Sequence, residues 1–349
     1  MKFTTISIRR FILLAVPCSA LLVYVMATAR RVHANVPGTN GQITYTQGVL
    51  DFNGGAPANV FNADSNGSNA QQVQLPVGIG VELFSLSVWS PDGKKLLLSH
   101  TLRIDPSTGQ CCLFQPATVK PDGSEFNQLV PPTPPGGPSA NGIDCPVWLL
   151  DQTRILCAFN DSTSGITGVF SIRASDGGDP VRLTTNPYNS NELPTDVSPD
   201  GTQFVFLRFR QPNTDPTQQV AIFVERMDGT GLHQVTPYGL AHAHEYIAAQ
   251  WSPDGSKIIS QTHQGRLFTV SPGGARVTPI VLQTGTGRYF AFGPHWSPDG
   301  ARIIFCMFIN GGEGLYTANP DGSDVQKVTF TTDFSEFFYW PDWGRQPSQ

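Results

Sequence analysis

His242-Ala243-His244-Glu245 is the stretch of this sequence with the most evident capacity for chemistry. In an extended segment alternate side chains share a face, so two imidazoles could grip a metal ion, with His295 or a carboxylate completing its shell. Solvent-exposed loop histidines are the more ordinary reading of the same residues. That reading is adopted, and no metal or other cofactor is expected. A second set of candidates is spread more widely: Asp144, Glu192, Glu245 with Tyr246, and Glu336 with Phe337 and Tyr339. Carboxylates beside aromatic rings suit a cationic or sugar-like ligand, or a segment of a protein partner. Other chemistries lack their motifs. The sequence has no Gly-x-Ser-x-Gly nucleophile elbow and no phosphate-cradling Gly-x-x-x-x-Gly-Lys-Ser/Thr. Asn62 to Gly67 begins like a calcium loop, but the twelfth residue is Val73 rather than Glu.

These candidates recur at comparable places in a repeat, which must position them. Trp89-Ser90-Pro91-Asp92-Gly93 returns as Trp251-Ser252-Pro253-Asp254-Gly255 and as Trp296-Ser297-Pro298-Asp299-Gly300. Val197-Ser198-Pro199-Asp200-Gly201 has lost only the Trp, a worn copy keeps Trp148 and Asp151, and a last fragment reads Pro341-Asp342-Trp343-Gly344. The markers at 89, 148, 197, 251, 296 and 343 lie 59, 49, 54, 45 and 47 residues apart. That is the length of a four-stranded propeller blade with variable loops.

Within each unit strand a ends at the Trp. A Pro-Asp-Gly turn follows, with φ preset by Pro, the backbone capped by Asp and positive φ accepted by Gly. Strand b comes next (Lys95–Ser99, Arg154–Phe159, Gln203–Leu207, Lys257–Gln261, Arg302–Met307), then an aromatic-centred strand c, a second turn such as Asp321-Gly322-Ser323, and a short strand d. The N-terminal stretch has b (Gln42–Gln47), c (Asn59–Ala63) and d (Gln71–Leu75) but no a, while Phe337–Trp343 is an orphan a. The predicted fold is therefore all-β: a six-bladed propeller closed by the C-terminal strand, which completes the first blade and removes the exposed edges.

The Trp-Ser-Pro-Asp-Gly turn with a downstream Asp-Gly-Ser turn resembles the TolB-type, WD-like propeller repeat over about residues 41–345. TolB itself carries an α/β domain ahead of its propeller, whereas only a few residues here separate a leader from the first strand. The resemblance implies the propeller fold. Some related propellers that act as pectate-oligomer lyases hold a metal through histidines, and His295, directly before Trp296, stands in a comparable place.

In a blade the a–b and c–d loops leave by one face, the b–c and d–a loops by the other. The tight turns thus share one face, and the long insertions (101–110, 131–145, 210–219, 237–250) share the opposite one. The insertion face is the expected binding face. There Asp144, Glu192, His242, His244, Glu245, Tyr246, His295, Glu336 and Tyr339 would ring the channel mouth. The functional expectation is a non-catalytic scaffold for a protein partner or a small or oligosaccharide ligand, monomeric. A metal-assisted carbohydrate lyase or hydrolase and a structural cell-surface module are the alternatives.

Composition fits this reading. Only 14% of the 349 residues are charged, and Gly and Pro number 35 and 29. Five of the 22 basic residues (Lys2, Arg9, Arg10, Arg30, Arg31) precede Ala34 and no acid does, leaving 17 basic against 27 acidic residues, a net of −10. A body this acidic repels a polyphosphate backbone, which argues against nucleic acid. The uncharged stretch 11–29 behind the basic start reads as an export signal, or as an uncleaved membrane anchor, within residues 1–34. Either places the body outside the cytoplasm: periplasmic, secreted, or tethered by that segment. Five cysteines follow the leader (Cys111, Cys112, Cys145, Cys157, Cys306), an odd number that excludes complete pairing. A bridge from Cys111 or Cys112 to Cys145 or Cys157, and buried free thiols, are both open.

Overall fold

The computed structural model describes residues 38–49, 58–76, 82–102, 113–129, 143–161, 166–184, 191–210, 220–240, 249–285, 288–333 and 336–347. The leader assigned to residues 1–34 lies outside them. So do Cys111 and Cys112 and most of the long insertions.

Strands β1 (Asn40–Val49), β2 (Ala58–Ala63) and β3 (Gln71–Gln72) open the chain. Blade 2 runs β4 (Glu82–Trp89), β5 (Leu96–Leu102), β6 (Leu113–Val119), β7 (Asn127–Gln128). Blade 3 is β8 (Ile143–Trp148), β9 (Arg154–Asp161), β10 (Ile166–Arg173), β11 (Val181–Arg182). Blade 4 is β12 (Glu192–Val197), β13 (Gln203–Phe209), β14 (Val220–Arg226), β15 (His233–Gln234). Blade 5 is β16 (Gln250–Trp251), β17 (Ile258–Gln261), β18 (Leu267–Val270), β19 (Val277–Pro279). Blade 6 is β20 (Tyr289–Trp296), β21 (Ile303–Ile309), β22 (Gly312–Ala318), β23 (Gln326–Thr331). The last strand, β24 (Glu336–Arg345), pairs antiparallel with β1, giving the order β24-β1-β2-β3. Among the described residues the strands form six four-stranded sheets, and the closure read from the orphan strands holds.

The repeated turn is built the same way each time. In all four Ser-Pro-Asp-Gly copies the Ser hydroxyl donates to the turn Asp at 2.6–2.7 Å. It also accepts the backbone N–H five residues on, at 2.9 Å. The turn glycines have φ of +70 to +73°, the region that Gly enters at no steric cost. These aspartates cap turns, as their position predicts.

Each motif Trp packs into the apolar layer between two blades. Trp89 meets Val60 and Val73 of blade 1 with Leu96 and Leu98 of its own blade, and Trp251 meets Val205 and Ile222 of blade 4. Trp296 sits with Ile259 and Leu267 of blade 5, and Trp343 with Ile304 and Cys306 of blade 6. Val197, which replaces the Trp in blade 4, faces Val147 and Val169 of blade 3 beside Phe204 and Phe206. The core is thus a set of inter-blade layers. We expect Trp251→Ala to cost about 3–5 kcal/mol. Urea unfolding followed by fluorescence or circular dichroism measures it, and a change under 1 kcal/mol would show that the ring does not depend on this layer.

Candidate functional site

Innermost strands pair on one side only, so part of each backbone faces the channel with no sheet partner. The residue before each Trp marker sits on this edge: Val88, Val147, Asp196, Gln250, His295 and Asp342. Pairing registers slip just before it, between Phe84 and Leu86, Asp144 and Val147, Pro194 and Asp196, and Phe292 and His295. Such bulges re-aim the side chains that follow. They also account for Pro146, Pro294 and Pro341, since a bulge residue needs no ladder N–H. At the same point Gly293 has φ +59° and Trp340, in a conformation costly for a bulky residue, φ +49°.

The re-aimed side chains latch one blade to the next. Asp342 Oδ2 accepts the Trp89 N–H at 2.7 Å, Asp196 Oδ2 that of Trp251 at 2.8 Å, and Gln250 Oε1 that of Trp296 at 2.7 Å. Val147 cannot do this for blade 4, and Asp196 compensates by accepting the Val197 N–H on Oδ1 at 2.8 Å. His295 differs. Its Nδ1 lies 2.9 Å from Gln250 Nε2 and 3.2 Å from Asp342 Oδ1. Together these side chains line a cavity of about 60 Å³ at the turn-bearing end of the channel, beside Ser90, Pro91 and Pro298. Gly344 is required there, because a Cβ on it would sit 2.7 Å from the Trp89 indole.

Burial raises the Asp196 carboxyl from 3.8 to about 8, and the nearby Asp342 charge pushes the same way against its two backbone donors. Glu313, buried while accepting the Phe338 N–H at 3.0 Å, is raised to about 7 by burial. Glu225 is raised to about 7 by burial and by the Glu192 charge, against Arg208.

Of the site residues expected from sequence, the four whose side chains are described, Glu192, His295, Glu336 and Tyr339, do not form one cluster. His242, His244, Glu245 and Tyr246 lie outside the described residues, as does the side chain of Asp144. His295 sits at the turn end of β20, not among the long loops, because it directly precedes the Trp that ends the strand. Glu192 is 2% exposed. Its Oε1 accepts from Arg208 Nε at 2.6 Å, Thr184 donates to its other oxygen, and the guanidinium stacks over Phe206 and Phe223 at 5.4 and 4.7 Å. It therefore joins blades 3 and 4 instead of lining the mouth. Glu336 and Tyr339 are half-buried at the start of β24, the long-loop end, where Phe337 packs on Tyr339 at 4.4 Å. Asp196, Gln250 and Asp342 were not singled out by type, although aligning the column before each marker finds them. Among the described residues no three His, Cys, Asp or Glu side chains are placed to hold a metal. Cys157 is disulfide-bonded, and Cys306 is a buried free thiol whose pKa burial raises.

No protein-family profile matches the sequence. TolB from Acinetobacter baumannii superposes with a TM-score of 0.60 at 15% identity, over 93% of this chain and 70% of that one. The fold is the TolB-type propeller. An oligogalacturonate lyase in complex with manganese shares it at a TM-score of 0.50 and 12% identity, over 84% of this chain and 75% of that one. In sequence, Uncharacterized protein Atu1656 of Agrobacterium fabrum is 28% identical over 274 residues, covering 65% of this chain and 86% of the relative. At these identities the structural likenesses speak for fold and leave activity to the site.

The raised carboxyls set a pH dependence. A carboxyl whose folded pKa lies above its unfolded value keeps its proton on folding, so its stabilising contribution is complete below about pH 4 and is lost as pH rises through the folded value. Stability should therefore fall between pH 5 and pH 8.5. Asp196→Asn should flatten that slope, whatever its effect at any one pH. Melting temperatures across this range test it, and equal slopes in the two proteins would show that Asp196 ionises normally.

Proposed function

We propose that this chain is an extracytoplasmic, non-catalytic scaffold that docks a protein partner on its long-loop face. The observation that carries the reading is how the buried acids near the axis are used. Asp196 and Asp342 latch blades through Trp N–H groups, Glu313 holds the Phe338 N–H, and Glu192 is matched by Arg208. Acids engaged in holding a ring together leave recognition to groups at the strand starts and on the loops, which a rigid scaffold can vary without disturbing its core. The disulfide at Cys157 fits an oxidising compartment, as do the basic, apolar first residues of the sequence.

Glu336 and Tyr339, with Glu245 and Tyr246 from the 237–250 insertion, are the residues assigned to the docking face. Glu192 is excluded from its test, because removing a buried partner of Arg208 would weaken the fold. With the propeller as bait on the source organism's envelope fraction, Glu245→Gln plus Glu336→Gln should reduce recovery of the captured protein at least threefold, with the melting temperature unchanged. Equal recovery by the variant and the parent would sink docking on this face. Stoichiometric manganese or zinc in the purified protein, with cleavage of an oligogalacturonate, would replace the scaffold by an enzyme.

A further inference from the structure

Among the described residues the three side-chain latches join blades 1 and 2, blades 4 and 5, and blades 5 and 6. Blade 3 alone takes part in none of them. Val88 in blade 2 and Val147 in blade 3 itself have no acceptor to offer to the marker that follows. The placement of its inner strand β8 then rests on pairing with β9, and that ladder is interrupted. Asp144 pairs with Ala158 and Val147 with Leu156, so Cys145 and Pro146 together stand opposite the single residue Cys157. Pro146 has no N–H to give to the ladder. Cys157 is disulfide-bonded and 1% exposed, in the layer with Leu97 and Leu129 of blade 2.

We infer that Cys145 is the partner of Cys157, and that their bond staples β8 to β9 in the blade that lacks latches. Cys306 is a buried free thiol in the layer between blades 6 and 1, which leaves Cys111, Cys112 and Cys145 as partners. Residues opposite one another on antiparallel strands have Cα atoms about 4.5–5.5 Å apart, within the span of a disulfide. Cys111 and Cys112 precede Leu113, which starts β6 at the long-loop end of blade 2. Trp89 pairs with Leu96 and Trp148 with Ile155, so the counterpart of Cys157 in blade 2 is Leu98, whose partner is Ala117. Ala117 lies about 13 Å along β6 from Leu113, at roughly 3.3 Å per residue. Closing the bond takes two protons and two electrons from the thiols, received by a protein disulfide that leaves as a dithiol. The bond spans only the turn between β8 and β9, so its effect on the unfolded chain is modest and its main effect is on β8. The inference stands whether or not a partner docks on the long-loop face.

Peptide mapping of the full chain, exported to a bacterial periplasm, alkylated, and digested without reduction by trypsin and an endoprotease that cuts after Glu, decides the pairing. Segment 155–173 should be recovered joined to segment 126–154. Its recovery joined to segment 104–125, which holds Cys111 and Cys112, or with Cys157 alkylated, overturns the pairing. Hydrogen exchange tests the staple on the same protein before and after dithiothreitol, once mass spectrometry shows the bond reduced. Exchange in β8 and β9 should speed up at least tenfold, with β17 and β18 of blade 5, which is latched on both sides, unchanged. The melting temperature should fall by about 3 °C. Cys145→Ala combined with Cys157→Ala should reproduce both changes, and if that variant does not fold, the oxidised and reduced parent proteins decide. Unchanged exchange in β8 and β9, or equal acceleration in blade 5, overturns the staple.

Discussion

The free inner edge of the first strand in every blade is the constraint on which the rest of this structure depends. A strand that pairs on one side only leaves backbone N–H groups facing the channel, and an unmet buried donor costs about as much as a lost hydrogen bond. At three of the six junctions the chain meets this with a side chain taken from the preceding blade. Asp342, Asp196 and Gln250 each reach across to the next Trp N–H. The same bond that satisfies the edge fixes how closely neighbouring blades approach, and so lets the Trp beside it fill the layer between them.

That coupling explains why closure falls to the last strand. β24 supplies the inner strand of blade 1, and with it Asp342 for the latch to blade 2 and Trp343 for the layer against blade 6. One ten-residue strand thereby completes two junctions at once. Near the other end of the channel the junctions use different means: the Arg208–Glu192 pair with Thr184 between blades 3 and 4, and Glu313 on the Phe338 N–H between blades 6 and 1. Both are acids buried where the chain can least afford a free charge. One is matched by a guanidinium, and the other has its pKa raised toward 7.

Most of the fold was legible because its signals are local. A Trp-Ser-Pro-Asp-Gly turn is made by five consecutive residues, and its spacing gives the blade. The orphan strand at each end gives the closure. The site was less legible because its determinants act between blades. Glu192 looks like any acid at a strand start until Arg208, at the far end of the next strand, is brought opposite it by antiparallel pairing. His295 was read with His242 and His244 by residue type, whereas its place one residue before the Trp commits it to the turn end. Asp196 and Gln250 carry no motif of their own. They become visible only when the repeats are aligned and one column is read down.

That column is also where the repeats stop being equivalent. Turn and layer positions keep the same residue types because every blade needs the same geometry there. The position before the Trp holds Val88, Val147, Asp196, Gln250, His295 and Asp342, six residues of four chemical kinds in one structural role. Latching alone does not call for such variety, since an Asp or Gln serves at each junction where it occurs. His295 spends its ring nitrogen on two neighbouring side chains instead of on a backbone N–H, and two valines make no polar bond at all. The result is a channel end with one apolar and one polar wall. A symmetric fold distinguishes directions around its axis only through such departures from the repeat, and these departures meet in a single cavity.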